Sequence, residues 1–164
     1  MSISDKNQLI VDKNTKMIKN YYSLERKTLE QIYTEVLLKI EHIKNEKIFT
    51  DVEYTFQSGV GVIQVRNETD LRNIQVNCME AFKDIMDGNP NKQHVFMDKN
   101  NIIREMTAQE MVNMASYVKN IGQQIYSSSW NHKYVNLKSI YENDNLTDDQ
   151  KIDQILNYDI TLSW

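Results

Sequence analysis

Apolar residues recur every three to four positions over three stretches of this chain and cluster or alternate between them, and that rhythm divides the sequence into elements. Residues 1–19 carry scattered aliphatics (Ile3, Leu9, Ile10, Val11, Ile18) without a sustained period, which predicts an arm that orders only against a partner. From Tyr21 to about Glu46 the positions Tyr22, Leu29, Tyr33, Val36, Ile40 and Ile43 fall at three- and four-residue steps, and Leu24, Ile32 and Leu37 widen the stripe. This predicts a long amphipathic helix. Residues 48–66 are rich in β-branched and aromatic side chains and are broken by Ser58, Gly59 and Gly61, which predicts a β-hairpin.

Asn67 or Thr69 can cap a second helix, whose apolar positions are Leu71, Ile74, Cys78, Phe82 and Ile85 and which Gly88 ends. A second strand pair, His94 to Met97 and Ile102 to Met106, flanks the polar turn Asp98-Lys99-Asn100-Asn101. Thr107 and Glu110 then form a capping-box pattern opening a helix that runs toward Tyr141 through Met111, Met114, Val118, Ile121, Ile125, Trp130, Tyr134 and Leu137. On that stripe Trp130 is expected to be buried, and its loss to cost roughly 3 to 5 kcal/mol. Ala115, Gly122 and Ser129 recur at seven-residue intervals and would let another element approach closely. Thr147 caps a short helix, and Tyr158 to Trp164 read as a strand-like tail.

These elements define an α+β fold: a long N-terminal helix, two β-hairpins forming a small antiparallel sheet packed against two further long helices, and a short C-terminal helix. The expected organisation is an arm and amphipathic helix over 1–46, a compact body over 47–157, and a tail over 158–164. Within the first unit, Tyr22, Leu29, Tyr33, Val36, Ile40 and Ile43 are candidate interface positions. Their stripe either packs on the protein's own sheet or forms a short coiled coil with another chain.

Charge and composition narrow the function. With 19 basic and 23 acidic residues in 164, the formal net charge is −4, so no global positive field would hold nucleic acid. No run approaches the apolar length of a membrane span, and the first residues lack a basic start and an apolar signal core. A protein kept in the cytosol, or packed into a particle assembled there, is expected. The single cysteine, Cys78, reads as a plain core or half-buried thiol.

Candidate chemistry is sparse. His42, His94 and His132 lie in three separate elements without metal-ligand spacing. Gly59-Val60-Gly61 sits between two strands rather than before a helix, so a hairpin turn explains it better than a phosphate loop. The cluster Glu142, Asp144, Asp148 and Asp149 lacks the ligand alternation of a calcium loop and reads as a solvated turn. Ser127 to Ser129 have no base in reach, because His132 is expected to point to a different helical face. The expectation is therefore no catalytic residue, no cofactor and no metal.

Four residue patterns, in order, carry a resemblance. A polar cap after the first hairpin is followed by Asn73-Ile74; Phe96 is followed five residues later by Asn101; Met106-Thr107-Ala108-Gln109-Glu110 opens the long helix; and Ser129-Trp130-x-x-Lys133 lies deep within it. From about residue 39 to 157 the chain resembles a domain family of unknown biochemical function that recurs in bacteriophage tail, tail-fibre and tail-fibre-assembly proteins. Phe96 stands where that family usually has tryptophan, Asn100-Asn101 where it commonly has Asp-Asn, and Asn136 where it has an aliphatic. The resemblance implies a structural protein of the virion tail, made in the host bacterial cytoplasm, with other phage tail proteins, or copies of itself in a homo-oligomer, as partners and neither nucleic acid nor membrane among them. A tail-fibre assembly chaperone not retained in the virion is the alternative it implies.

Overall fold

A computed structural model describes residues 27–164. Its fold is α+β, with two small antiparallel sheets among long helices. The first helix, α1 (Leu29–Ile48), starts where Thr28 and Gln31 form a reciprocal capping box. The helix stripe predicted from Tyr21 thus begins at Leu29 among the described residues, and Tyr22 lies outside them. Two strands, β1 (Val52–Phe56) and β2 (Gly59–Ile63), form the first hairpin. Asn67 caps α2 (Glu68–Met86) by accepting from the amides of Thr69 and Asp70. The second hairpin, β3 (Gln93–Met97) with β4 (Ile103–Thr107), runs directly into α3 (Ala108–Trp130). A π-helical segment, Asn131–Leu137, continues into the single turn α4 (Lys138–Tyr141). Thr147 and Gln150 then cap α5 (Asp148–Asn157) with a further reciprocal box.

The hairpins do not merge into one sheet. Each is a separate two-stranded ladder, and they are joined by side chains and by one backbone bond, Lys99 N–H to the Val62 carbonyl at 2.9 Å. Isolated hairpins are marginal in water, so both lean on helices. Phe56, Ile63, Val65, Ile74, Met106, Met111, Met114 and Val118 close one core between the hairpins, α2 and α3. On α2 the buried side includes Ile74 and Ala81, while Phe82, expected inside, is 55% exposed.

A second core joins α1 to the C-terminal segments. Ile32, Val36 and Ile40 of α1 pack against Leu137 of the π segment and Ile155 of α5, with Leu29 and Tyr33 at the margin. The buried part of the stripe on α1 is therefore covered by the chain's own C-terminal helices rather than by its sheets. The strand-like reading of the tail is corrected, because Tyr158, Ile160 and Trp164 pack on this core without forming a strand.

The π segment explains one further departure. Buried positions on the long helix run Ile125, Ser129, His132, Leu137, and the last step is five residues. A π-helix closes i→i+5 bonds, so it absorbs that five-residue step. The sequence reading placed the step between Ile125 and Trp130, one segment too early. Trp130 consequently faces out, 57% exposed, and the expectation that it is buried is wrong.

Candidate interaction surface

Most residues that carry the resemblance hold the fold. Ile74 is in the core, whereas Asn73 is exposed. Phe96 stacks on Phe56 with ring centroids 6.2 Å apart. Asn101 takes a left-handed backbone, φ 60, in the β3–β4 turn, a conformation asparagine tolerates better than most side chains. Thr107 Oγ1 accepts from the Glu110 amide, while Glu110 Oε2 accepts from the Thr107 amide at 2.7 Å. Ser129 is buried. Lys133 donates to Glu41 of α1, and with Lys44 it holds that carboxyl below the usual range.

Trp130, like Asn73, is exposed. Its ring lies tilted against Tyr134, with centroids 5.9 Å apart, and its neighbours one turn away are similarly open: Tyr126 is 58% and Tyr134 57% exposed. Residues four apart share a helical face, so the three rings form one aromatic stripe along α3 into the π segment. Lys44 Nζ sits 5.3 Å from the Tyr126 ring centroid, a cation–π distance. At the far end Tyr33 stacks on Tyr141 at 4.2 Å.

Of the other candidate interface positions, Val36 and Ile40 are buried, and Leu29, Tyr33 and Ile43 are half-buried. Among the described residues the seam is largely covered by the chain itself, and the open aromatic side chains lie on α3 and the π segment.

Two buried polar clusters organise the structure behind that surface. In the first, the Arg104 guanidinium donates to Asp98 Oδ2 from Nε at 3.0 Å and from Nη2 at 2.7 Å, to Ser58 Oγ at 3.1 Å and to the Val60 carbonyl at 3.3 Å. Its carbon lies 5.0 Å from the Phe56 ring centroid. Burial alone would raise the Asp98 carboxyl, but Arg104 and the amides of Ile102 and Asn100 more than offset it and leave it below its ordinary value. This pair staples the two hairpins together. It also explains Gly61, which lies within β2 against the Arg104 side chain, whereas Gly59, φ 111, makes the turn. The sequence reading assigned both glycines to the turn. A glycine inside a strand signals close approach, and that was the available clue.

In the second cluster, His132 Nε2 lies 2.9 Å from the Leu162 carbonyl and Nδ1 2.6 Å from the Tyr158 hydroxyl. A carbonyl only accepts, so Nε2 carries hydrogen and donates to Leu162, while Nδ1 and the Tyr158 hydroxyl share the second bond. Asn136 donates to the same hydroxyl at 2.8 Å, and the ring stacks on Trp164. His132 thus pins the tail to the π segment with both nitrogens engaged. Ser129 and His132, three residues apart, are both buried, and both ring nitrogens of His132 are engaged by Tyr158 and Leu162 rather than by Ser129.

Between the end of α1, α2 and α3 runs an apolar groove of about 590 Å³. Cys78 lines it, half-buried as expected, with burial pushing its thiol up. Among the described residues no group of three or more His, Cys, Asp or Glu side chains is placed to hold a metal ion. No helix among them is long and apolar enough to cross a membrane.

No protein-family model, no curated protein and no solved structure matches this chain.

Proposed function

We propose that this protein is a virion structural component of a tailed bacteriophage, a tail, baseplate or fibre-attachment part that acts through protein–protein contacts, with Trp130 anchoring one of them. The observation that carries this reading is the division of labour among the residues of the tail-type pattern. Ile74, Phe96, Asn101, Thr107, Glu110, Ser129 and Lys133 each have a packing, turn, cap or ion-pair role, while Trp130 lies exposed between Tyr126 and Tyr134. Tryptophan and tyrosine are the side chains most enriched among residues that dominate binding energy at interfaces. An exposed aromatic stripe of this kind is a recognition surface rather than a core defect.

Mass spectrometry of purified virions tests the reading. The chain present in stoichiometric amount supports it. The chain present in infected lysate but missing from virions replaces it with the second reading, a tail-fibre assembly chaperone, which the open apolar groove beside Tyr126 favours because a chaperone must bind and release its client.

A further inference from the structure

The groove between α2 and α3 has a charge pattern at odds with the molecule. The chain carries a formal net charge of −4, yet the charged side chains lining the groove are Lys47 and Lys119, with no carboxylate among the lining residues. Among the described residues neither lysine has an ion-pair partner, in contrast to Lys44, Lys92, Lys99 and Lys133. The walls between them are apolar, with Ile74 and Cys78 from α2 and Val118 from α3. Met79, 66% exposed, and Tyr126, 58% exposed, stand among the lining residues.

Its shape is that of a trough. On α3 the lining extends from Ala115 to Tyr126, about 16 Å at 1.5 Å per residue, which is three helical turns. Ala115 and Gly122 face it. A Cβ added at Gly122 would meet nothing within 4 Å, so a visiting backbone can come close at that point. These are the requirements of the helix-in-groove mode of recognition, where an amphipathic helix lays apolar side chains into a trough and its flanking charges choose the orientation.

We infer that this groove receives an acidic amphipathic helix of another protein, apolar on one face and carrying carboxylates that pair with Lys47 and Lys119. The inference deepens the proposed assembly role and rests on it for the partner being a protein. The chain's own first 26 residues are a poor occupant on charge, since they contain five basic and three acidic side chains. Tyr126 belongs to both the groove and the aromatic stripe, so one partner can engage the two together.

The test uses the full chain and two synthetic helical peptides with the same leucine stripe, one carrying glutamates on its polar face and one carrying lysines. Binding is followed by fluorescence anisotropy and by the rate at which iodoacetamide alkylates Cys78, the single cysteine in the chain. The glutamate peptide should bind at least tenfold more tightly than the lysine peptide and slow alkylation at least tenfold. Lys47→Glu with Lys119→Glu should reverse the preference. Gly122→Phe, placed where the structure has free space, should abolish binding while leaving the cooperative melt intact.

Equal binding of both peptides, or binding that leaves Cys78 alkylation unchanged, overturns the proposal. Protection of Cys78 by oleate but not by the glutamate peptide overturns it in favour of a small amphiphile. A dimer of the full chain that Gly122→Phe returns to monomer overturns it in favour of a second copy. The two readings fail separately: virions that lack the chain remove the tail assignment, while groove-specific binding of the glutamate peptide would stand.

Discussion

A methyl group added at Gly61 would sit 2.7 Å from Arg104 Nη2 and 2.9 Å from both Asp98 Oδ2 and Phe56 Cε2. All three atoms belong to the cluster that joins the hairpins, so none can yield without loosening the others. Gly61→Ala should therefore destabilise the fold by about 1 to 3 kcal/mol, the usual cost of overpacking, read from denaturant melts. Trp130→Ala should do the opposite of what its helical position suggests: a melting temperature close to wild type, within about 0.5 kcal/mol as for other surface positions, with loss of partner binding. A drop in stability typical of a buried tryptophan would return Trp130 to the core. Acid sensitivity belongs to this scale as well. The Asp98 carboxyl is held below its ordinary value in the folded protein, so its contribution is complete above the unfolded value of about 4 and is lost as pH falls through the native one. Melting temperature should decline below about pH 4, and Asp98→Asn, already less stable at neutral pH, should show a shallower decline across that window.

The π-helical segment decides how the C-terminal third of the molecule is assembled. It turns Leu137 onto Val36 and Ile40 of α1 and places His132 under the tail. Removing one residue, Asn136, would return the segment to α-helical spacing and rotate everything beyond it by about 100°. The expected result is a protein whose hairpin core still forms while α5 and the tail detach, visible as solvent-exposed Trp164 fluorescence and rapid proteolysis after residue 141. A fully protected C-terminus would show that the π turn is incidental. Elements whose cause is local were legible beforehand: Thr107 with Glu110, Asn67 at the start of α2, and Gly88, φ 83, after its end. The α+β class followed from the same signals. What was not legible depends on distance in sequence. A five-residue step can be accommodated at several points along a helix, and nothing in the α1 stripe says that Ile155 rather than another chain will cover it. The candidate surface was missed for that reason, because placing Trp130 inside concealed the aromatic stripe.

At the scale of the whole molecule, α1 and α5 close a core between residues roughly 120 positions apart, so contacts of high sequence separation complete the fold. Deleting residues 1–46 should not leave a cooperatively folded body. Leu137 and Ile155 are almost fully enclosed in the intact protein, and losing Ile32, Val36 and Ile40 would open their site. Circular dichroism and light scattering on the truncated chain should show reduced helix and aggregation, and a clean cooperative melt would contradict this. The same closure has a consequence during synthesis. At a synthesis rate of about 5 to 20 residues per second, α1 emerges with its apolar stripe bare and waits roughly 6 to 24 s for α5 to be made. Nascent chains arrested before residue 148 should therefore be cleaved within α1 by dilute protease and be bound by ribosome-associated chaperones, whereas released chains carrying Ile155 should not.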